Sequence, residues 1–260
     1  MSMLHAQGLN KRFGAVVAAA DINIRIERGE RVSLIGSNGA GKTTFVNMVT
    51  VYLKPDTGTI TLDGTDITPL EPRAITQSGV ARSFQIPQLF GQLSVIDNML
   101  VANACHDRRL SFFQSAQRRE AVARAEGLLE RFRLAEHRQR RVSELPGGVR
   151  KLLDIAMALT TAPKLLLLDE PTSGVSADEK FPMMETIMAA LDQQSDAEKT
   201  TVLFVEHDMD IVDRYADRVI ALSRNPARQA VAKVFGATDI VEARGDEANE
   251  AVLEMTGGIG

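Results

Sequence analysis

Short apolar runs alternate with stretches of helical spacing along most of the chain. Val16 to Ile26 and Thr59 to Leu62 alternate apolar and polar residues, the period of half-buried antiparallel strands, and Asp63-Gly64 is a turn signal. These segments predict a small β-layer. Arg31-Val32-Ser33-Leu34-Ile35 and Val80-Ala81-Arg82-Ser83-Phe84 read as short strands. From Val95 to about Thr160 the strand signals stop, and Ala116 to Phe132 carries helical spacing. Strands resume at Lys164-Leu165-Leu166-Leu167-Leu168, too short to span a membrane and suited to a parallel strand buried on both faces. Thr201 to Val205 and Arg218 to Leu222 repeat that pattern, and Asp178 to Leu191 predicts the intervening helix. Strands alternating with helices define an α/β fold with a mostly parallel, doubly wound sheet, into which an α-helical subdomain is inserted. The expected organisation is a single domain over 1–260: an α/β core at 1–94 and 161–225, a helical subdomain at 95–160, and a C-terminal extension at 226–260. Within the extension, an amphipathic helix packed on the domain is expected over Asp239 to Met255.

Composition narrows the functions open to such a fold. The net charge of -4 argues against a nucleic-acid binder that relies on a basic face. The one cysteine, Cys105, allows no internal disulfide and no cysteine-based metal cluster, which suits a reducing cytosol. Met1 to Asn10 lacks the continuous apolar core of a signal peptide, and no apolar run approaches the roughly 20 residues that span a bilayer. The expectation is a cytoplasmic protein that reaches a membrane only through a partner.

The densest chemical signal is Gly36-Ser37-Asn38-Gly39-Ala40-Gly41-Lys42-Thr43, which fits the phosphate-binding pattern G-x-x-x-x-G-K-[ST] at every fixed position. It lies between a predicted strand and a predicted helix, Thr44 to Val49, where such a loop belongs. Glycines let backbone N–H groups curl around phosphate oxygens, and the helix start adds partial positive charge. Lys42 can reach β- and γ-phosphates, and the Thr43 hydroxyl is placed to ligate Mg²⁺. Asp169-Glu170 ends a buried strand, where α/β sheets bind ligands. Asp169 can hold Mg²⁺, and Glu170 can take a proton from, or orient, the attacking water. His207 follows the next strand and can sense the γ-phosphate, whereas His5, His106 and His137 read as ordinary surface or core residues, His137 on a solvated basic face. Gln85, at the entrance to the helical block, can ligate Mg²⁺ through its amide and so couple nucleotide state to that block. Gly147-Gly148, at a helix start after Pro146 in the expected first turn, form a second anion site.

In this order the motifs resemble the ATP-binding subunits of ABC transporters, over nearly the whole chain up to about Leu222. The resemblance implies a phosphate-loop ATPase fold with a RecA-like core and an antiparallel β-layer, with ATP and Mg²⁺ as cofactors. It implies an ATP-binding set of Phe13, stacking on adenine, with Gly36, Ser37, Asn38, Gly39, Ala40, Gly41, Lys42, Thr43 and Thr44. Glu170 and His207 are the implied catalytic pair, and Thr43, Gln85 and Asp169 the metal ligands. In that family two nucleotide domains pair head to tail, so Leu145, Pro146, Gly147 and Gly148 face the partner's nucleotide. Lys11-Arg12-Phe13-Gly14, Ala81-Arg82-Ser83-Phe84-Gln85, Leu93-Ser94-Val95-Ile96-Asp97-Asn98 and Val205-Glu206-His207-Asp208-Met209 look most like branched-chain amino-acid importers, LivG type. Importers of urea or short amides share most of these words. The implied partners are a second ABC ATPase subunit, identical or different, transmembrane permease subunits and, indirectly, a periplasmic solute-binding protein, with the ATPase at the cytoplasmic face of the inner membrane.

The chain departs from the family pattern where Pro146 replaces the signature serine, Val149 its glutamine, and Ser176 a frequent aspartate; 226–260 diverges throughout. Where the partner is a different ATPase, the hypothesis that follows is two unequal ATP sites, since Pro146 then completes the partner's site and not its own. Two rival readings remain at this point. One is the ATPase of a lipopolysaccharide exporter. The other is a soluble ABC ATPase acting on DNA or ribosomes, against which the single phosphate loop and the chain length speak.

Overall fold

The computed structural model describes residues 2–106, 115–194, 199–223, 225–234 and 236–241. In chain order the strands are β1 Ser2–Phe13, β2 Val16–Glu27, β3 Arg31–Ile35, β4 Thr57–Leu62, β5 Thr65–Asp66, β6 Val80–Ser83, β7 Leu165–Asp169, β8 Thr201–Val205, β9 Arg218–Leu222 and β10 Asp239–Val241. The helices are α1 Lys42–Val49, α2 Pro72–Gln77, α3 Val95–His106, α4 Ser115–Arg131, α5 Gly147–Leu159, α6 Ala177–Asp192, α7 Met209–Tyr215 and α8 Pro226–Val234. The chain divides into two compact units, one made of 1–75 with 207–260 and the other of 76–206.

The first unit holds an antiparallel layer in the order β2-β1-β4-β5 and the parallel strands β10-β9-β3. The layer's apolar residues face one way: Leu4, Ala6 and Leu9 of β1, Ile22, Ile24 and Ile26 of β2, and Ile60 and Leu62 of β4 are all buried. β1 itself escapes the alternation rule. Its pairing with β2 shifts register four times, between Ser2 and Leu4, Ala6 and Leu9, Leu9 and Lys11, and Lys11 and Arg12. Each bulge flips which residues point inward, so the longest run of ladder in the layer has no clean period of two. The Asp63-Gly64 turn forms as expected between β4 and β5.

The second unit holds the parallel strands β8-β7-β6. Leu165, Leu166, Leu167 and Leu168 are all buried, and each contributes about 1.5–3 kcal/mol by leaving water. Helix α5 packs on β6 and β7, α3 and α4 pack on α5, and α4 also packs on α6, so the amphipathic helix α5 lies between the helical block and the strands.

Two expectations change. Asp239–Val241 is a strand, paired in parallel with Ile220–Leu222, and not the start of an amphipathic helix. Arg218 explains the difference: its guanidinium holds Asp239 at 2.6 and 2.9 Å and fixes an extended chain beside β9. The rest of that expected helix lies outside the described residues. His137 is also less solvated than its charged neighbours suggest, with its side chain 16% exposed at the end of a short 3₁₀ turn, Ala135–His137. The His106 side chain lies outside the described residues.

Candidate functional site

In the first unit, β3 delivers the chain to Gly36 at φ 152°. A Cβ there would stand 2.7 Å from the Leu222 carbonyl oxygen and 3.1 Å from the Ala40 Cβ, so only glycine fits. The Ala40 N–H donates to the Ser37 carbonyl at 3.0 Å and closes the loop. Gly41, at φ 97°, is the N-cap of α1, and its missing Cβ would lie 3.0 Å from the Ala18 carbonyl. Lys42 is the first residue of α1 and is buried; its Nζ donates to the carbonyls of Gly36 at 2.6 Å and Ser37 at 3.1 Å. The ammonium is held within the loop that a phosphate would enter. No acidic residue occupies the first turn of α1, so no side-chain charge opposes an anion at its start. Thr43 is exposed and Thr44 half-buried.

The other first-unit residues are placed as follows. Phe13 ends β1 with 53% of its surface exposed, which removes it from the β-layer core. The Lys11 ammonium stands 5.8 Å from its ring centroid. His207 is exposed and directly precedes Asp208, the N-cap of α7, whose carboxylate accepts from the Asp210 N–H at 3.2 Å.

In the second unit, β7 ends in Asp169 and the chain turns at Glu170, which adopts φ 49°. Left-handed backbone is unfavourable for a glutamate. Hydrogen bonds on both sides fix it: the Glu170 N–H donates to Val205, and the Ser173 N–H to the Glu170 carbonyl. Both acidic side chains are gripped, one from the neighbouring strand β6 and the other from the loop that follows it. Arg82 Nη2 donates to Asp169 Oδ2 at 2.6 Å, and Gln85 Nε2 to Glu170 Oε2 at 2.7 Å. The Arg82 guanidinium also lies 4.9 Å from the Phe84 ring centroid.

The Gln85 loop is held from the other side by α5. Buried Lys151 donates from Nζ to the Gln85 carbonyl at 2.6 Å. One turn on, buried Asp154 accepts from the Ser83 hydroxyl at 2.6 Å and the Gln88 N–H at 3.2 Å. Burial pushes the Asp154 carboxyl up, against its hydrogen bonds from Ser83 and the loop, and pushes the Lys151 ammonium down, against the pull of nearby carboxylates. Glu206, also buried, accepts from the Thr172 N–H at 2.9 Å and hydroxyl at 2.6 Å, and so shapes the loop after Glu170.

Helix α5 starts immediately after Pro146, which is the N-cap (φ -57°, ψ 157°) and so stands one residue ahead of the expected first turn. Gly147 and Gly148 are the first helical residues, and a Cβ on either would meet nothing within 4 Å. Beside them is an open cavity of about 450 Å³, lined by Gln85, Ile86, Gly147, Arg150, Lys151 and Gly174 among others.

Sequence reasoning singled out Asp169, Glu170 and Gln85 but gave no role to Arg82, Lys151, Asp154 or Glu206. A faint signal exists: Lys151 and Asp154 follow Arg150 as further charges in the amphipathic helix α5, and Glu206 directly follows the fully buried strand β8. Among the described residues there is no group of three or more His, Cys, Asp or Glu able to hold a metal. Mg²⁺ does not need one, since it is usually held by one or two carboxylates together with substrate phosphate and water. Each unit by itself offers hard oxygen donors of the kind Mg²⁺ takes: the Thr43 hydroxyl in the first, and in the second the Asp169 carboxylate and the amide oxygen of Gln85, whose nitrogen is spent on Glu170.

These features define a phosphate-loop nucleotide-binding protein, and comparison with known proteins carries the assignment further. Residues 19–173 match the family model for ABC transporter. The chain is 37% identical over 230 residues to the high-affinity branched-chain amino acid transport ATP-binding protein LivG of Salmonella typhimurium, covering 85% of this chain and 88% of that one. A crystal structure of the ADP conformation of an ATP-binding cassette of an ABC transporter superposes with a TM-score of 0.75 at 29% identity, over 100% of both chains. A dimeric cassette in a post-hydrolysis state, bound to ADP and Pi, gives 0.72 at 25% identity over 85% of this chain and 94% of that one. The chain belongs to the ABC transporter family and is one of its ATP-binding, ATPase subunits.

Proposed function

We propose that this chain hydrolyses ATP to drive an importer of branched-chain amino acids, or of chemically related amides or urea, from the inner face of the membrane. Among the described residues no helix is long and apolar enough to cross a membrane, so attachment falls to permease subunits. The observation that carries the reading is the double engagement of Gln85. Its side chain holds Glu170, and its carbonyl is held by Lys151 of α5, so a change at the carboxylate is passed to the helical block through one residue. A residue that only bound ATP would need no such second tether.

The N–H groups of 36–43 and Lys42 bind the phosphates, exchanging the lysine's carbonyl contacts for phosphate oxygens. Phe13 offers its exposed ring to adenine. Thr43, Asp169 and Gln85 would hold Mg²⁺, which neutralises charge on the β- and γ-phosphates. Glu170 orients and deprotonates the attacking water, and His207 reads the γ-phosphate. The start of α5 serves a second ATPase subunit. Gly147 and Gly148 have no neighbour of their own to fit, and their N–H groups are open to an incoming phosphate. Pro146 brings no hydroxyl there, so the partner's nucleotide loses a charge-assisted bond of about 1.5–3 kcal/mol.

Replacing Glu170 by Gln tests this. Hydrolysis, followed by phosphate release, should fall about 10²–10⁴-fold while ATP still binds. Leucine uptake by the complex reconstituted with its permeases should stop. Full retained turnover in that variant overturns the assignment of the base.

A further inference from the structure

We infer that Arg228, in the C-terminal extension, is an additional phosphate-binding residue of the nucleotide site, attracting the polyphosphate chain beside Ser37. The inference rests on the nucleotide-binding reading of the 36–43 loop and adds to it a residue outside every motif named above.

The crossover from β9 through α8 to β10 places this side chain. At the end of β9 the Leu222 carbonyl oxygen lies where a Cβ on residue 36 would reach, 2.7 Å from it. Three residues later Asn225 caps the next helix, its Oδ1 accepting from the N–H groups of Ala227 at 2.9 Å and Arg228 at 3.2 Å. Gln229 ties back to the Ser223 carbonyl at 2.9 Å, and the Arg218–Asp239 pair holds the far end of the crossover. The first turn of α8 is therefore fixed on both sides, and Arg228 Nη1 donates to the Ser37 hydroxyl at 3.1 Å.

The charge balance points to the ligand. Among the described residues Arg228 has no carboxylate partner, although a guanidinium carries five N–H donors. α1 contributes no acidic residue in its first turn either. A guanidinium left without an anion, touching the rim of an anion-binding loop, is suited to phosphate oxygens. Because it faces the phosphate loop, it reads the phosphate chain and not the base. Its exposure limits the effect to that of a screened surface charge.

The test is displacement of a fluorescent ATP analogue by ATP and by inorganic tripolyphosphate, on the purified full chain. Arg228→Gln should raise the Kd of both competitors about threefold to tenfold at low ionic strength, and less at high ionic strength. Arg228→Lys should recover part of the loss, and KM for ATP should rise by more than kcat falls. Lys233→Gln removes the same charge from the last turn of α8 and should leave both Kd values alone. The inference is overturned by an unchanged Kd in Arg228→Gln, by an equal loss in Lys233→Gln, or by a loss matched by a lower unfolding temperature of the nucleotide-free protein. If the unaltered chain fails to bind the analogue at all, the nucleotide-binding reading itself falls, whatever Arg228 does.

Discussion

Two helices of this molecule start at glycines, and they do so for opposite reasons. α1 follows Gly36 and Gly41, each with a left-handed backbone and a neighbouring atom where a Cβ would sit. α5 begins with Gly147 and Gly148, which have ordinary backbone angles and open space. The first pair is required by the chain's own fold. The second is required by nothing among the described residues, which accords with the proposal that it meets a second subunit. What fixes the start of α5 lies one turn further in, where Lys151 and Asp154 fasten it to the Gln85 loop.

The contrast can be broken by substitution. The largest effect, taking ATP affinity and stability together, should come from Gly36→Ala, which forces a Cβ against the Leu222 carbonyl. ATP affinity should fall by more than about 100-fold, and the nucleotide-free protein should lose about 1–3 kcal/mol in urea unfolding. A stable variant with normal affinity would show that the loop is not held by close approach. Next comes Lys151→Met, which leaves Asp154 and the Gln85 carbonyl without their cation. We expect a loss of about 3 kcal/mol in the same measurement, with Lys151→Arg restoring most of it. An unfolding curve unchanged by Lys151→Met would detach the start of α5 from its proposed anchor. The smallest effect on stability should be that of Gly148→Ala, neutral or up to about 1 kcal/mol stabilising, because alanine favours a helix. ATPase activity of the assembled transporter should nonetheless drop. A variant that is destabilised but fully active would reverse the comparison.

The same contrast explains what could be read in advance. The phosphate loop is a local object: its glycines, lysine and threonine are consecutive, and their geometry follows from the backbone. β7, β8 and β9 were legible because a strand buried on both faces is simply an apolar run. The fastenings of the acidic pair were not, since Arg82 meets Asp169 across 87 residues and Gln85 meets Glu170 across 85. No spacing rule connects residues that far apart. β1 was hidden by its bulges. At Asp239 a local helical pattern lost to one long-range ion pair with Arg218.

The Lys151–Gln85 hydrogen bond has a bearing on how such a protein can be rebuilt. The chain leaves the strand layer after β6 and returns at α5, and at 2.6 Å the way out and the way back share one bond. Everything between is an excursion with coincident ends, the condition under which a segment can be lengthened, shortened or exchanged without disturbing its host. A transporter lineage could therefore refit this ATPase to a new membrane partner by trading the part of the excursion between Gln85 and Leu145, leaving the phosphate loop, the glycine start of α5 and the Asp169-Glu170 strand as they stand.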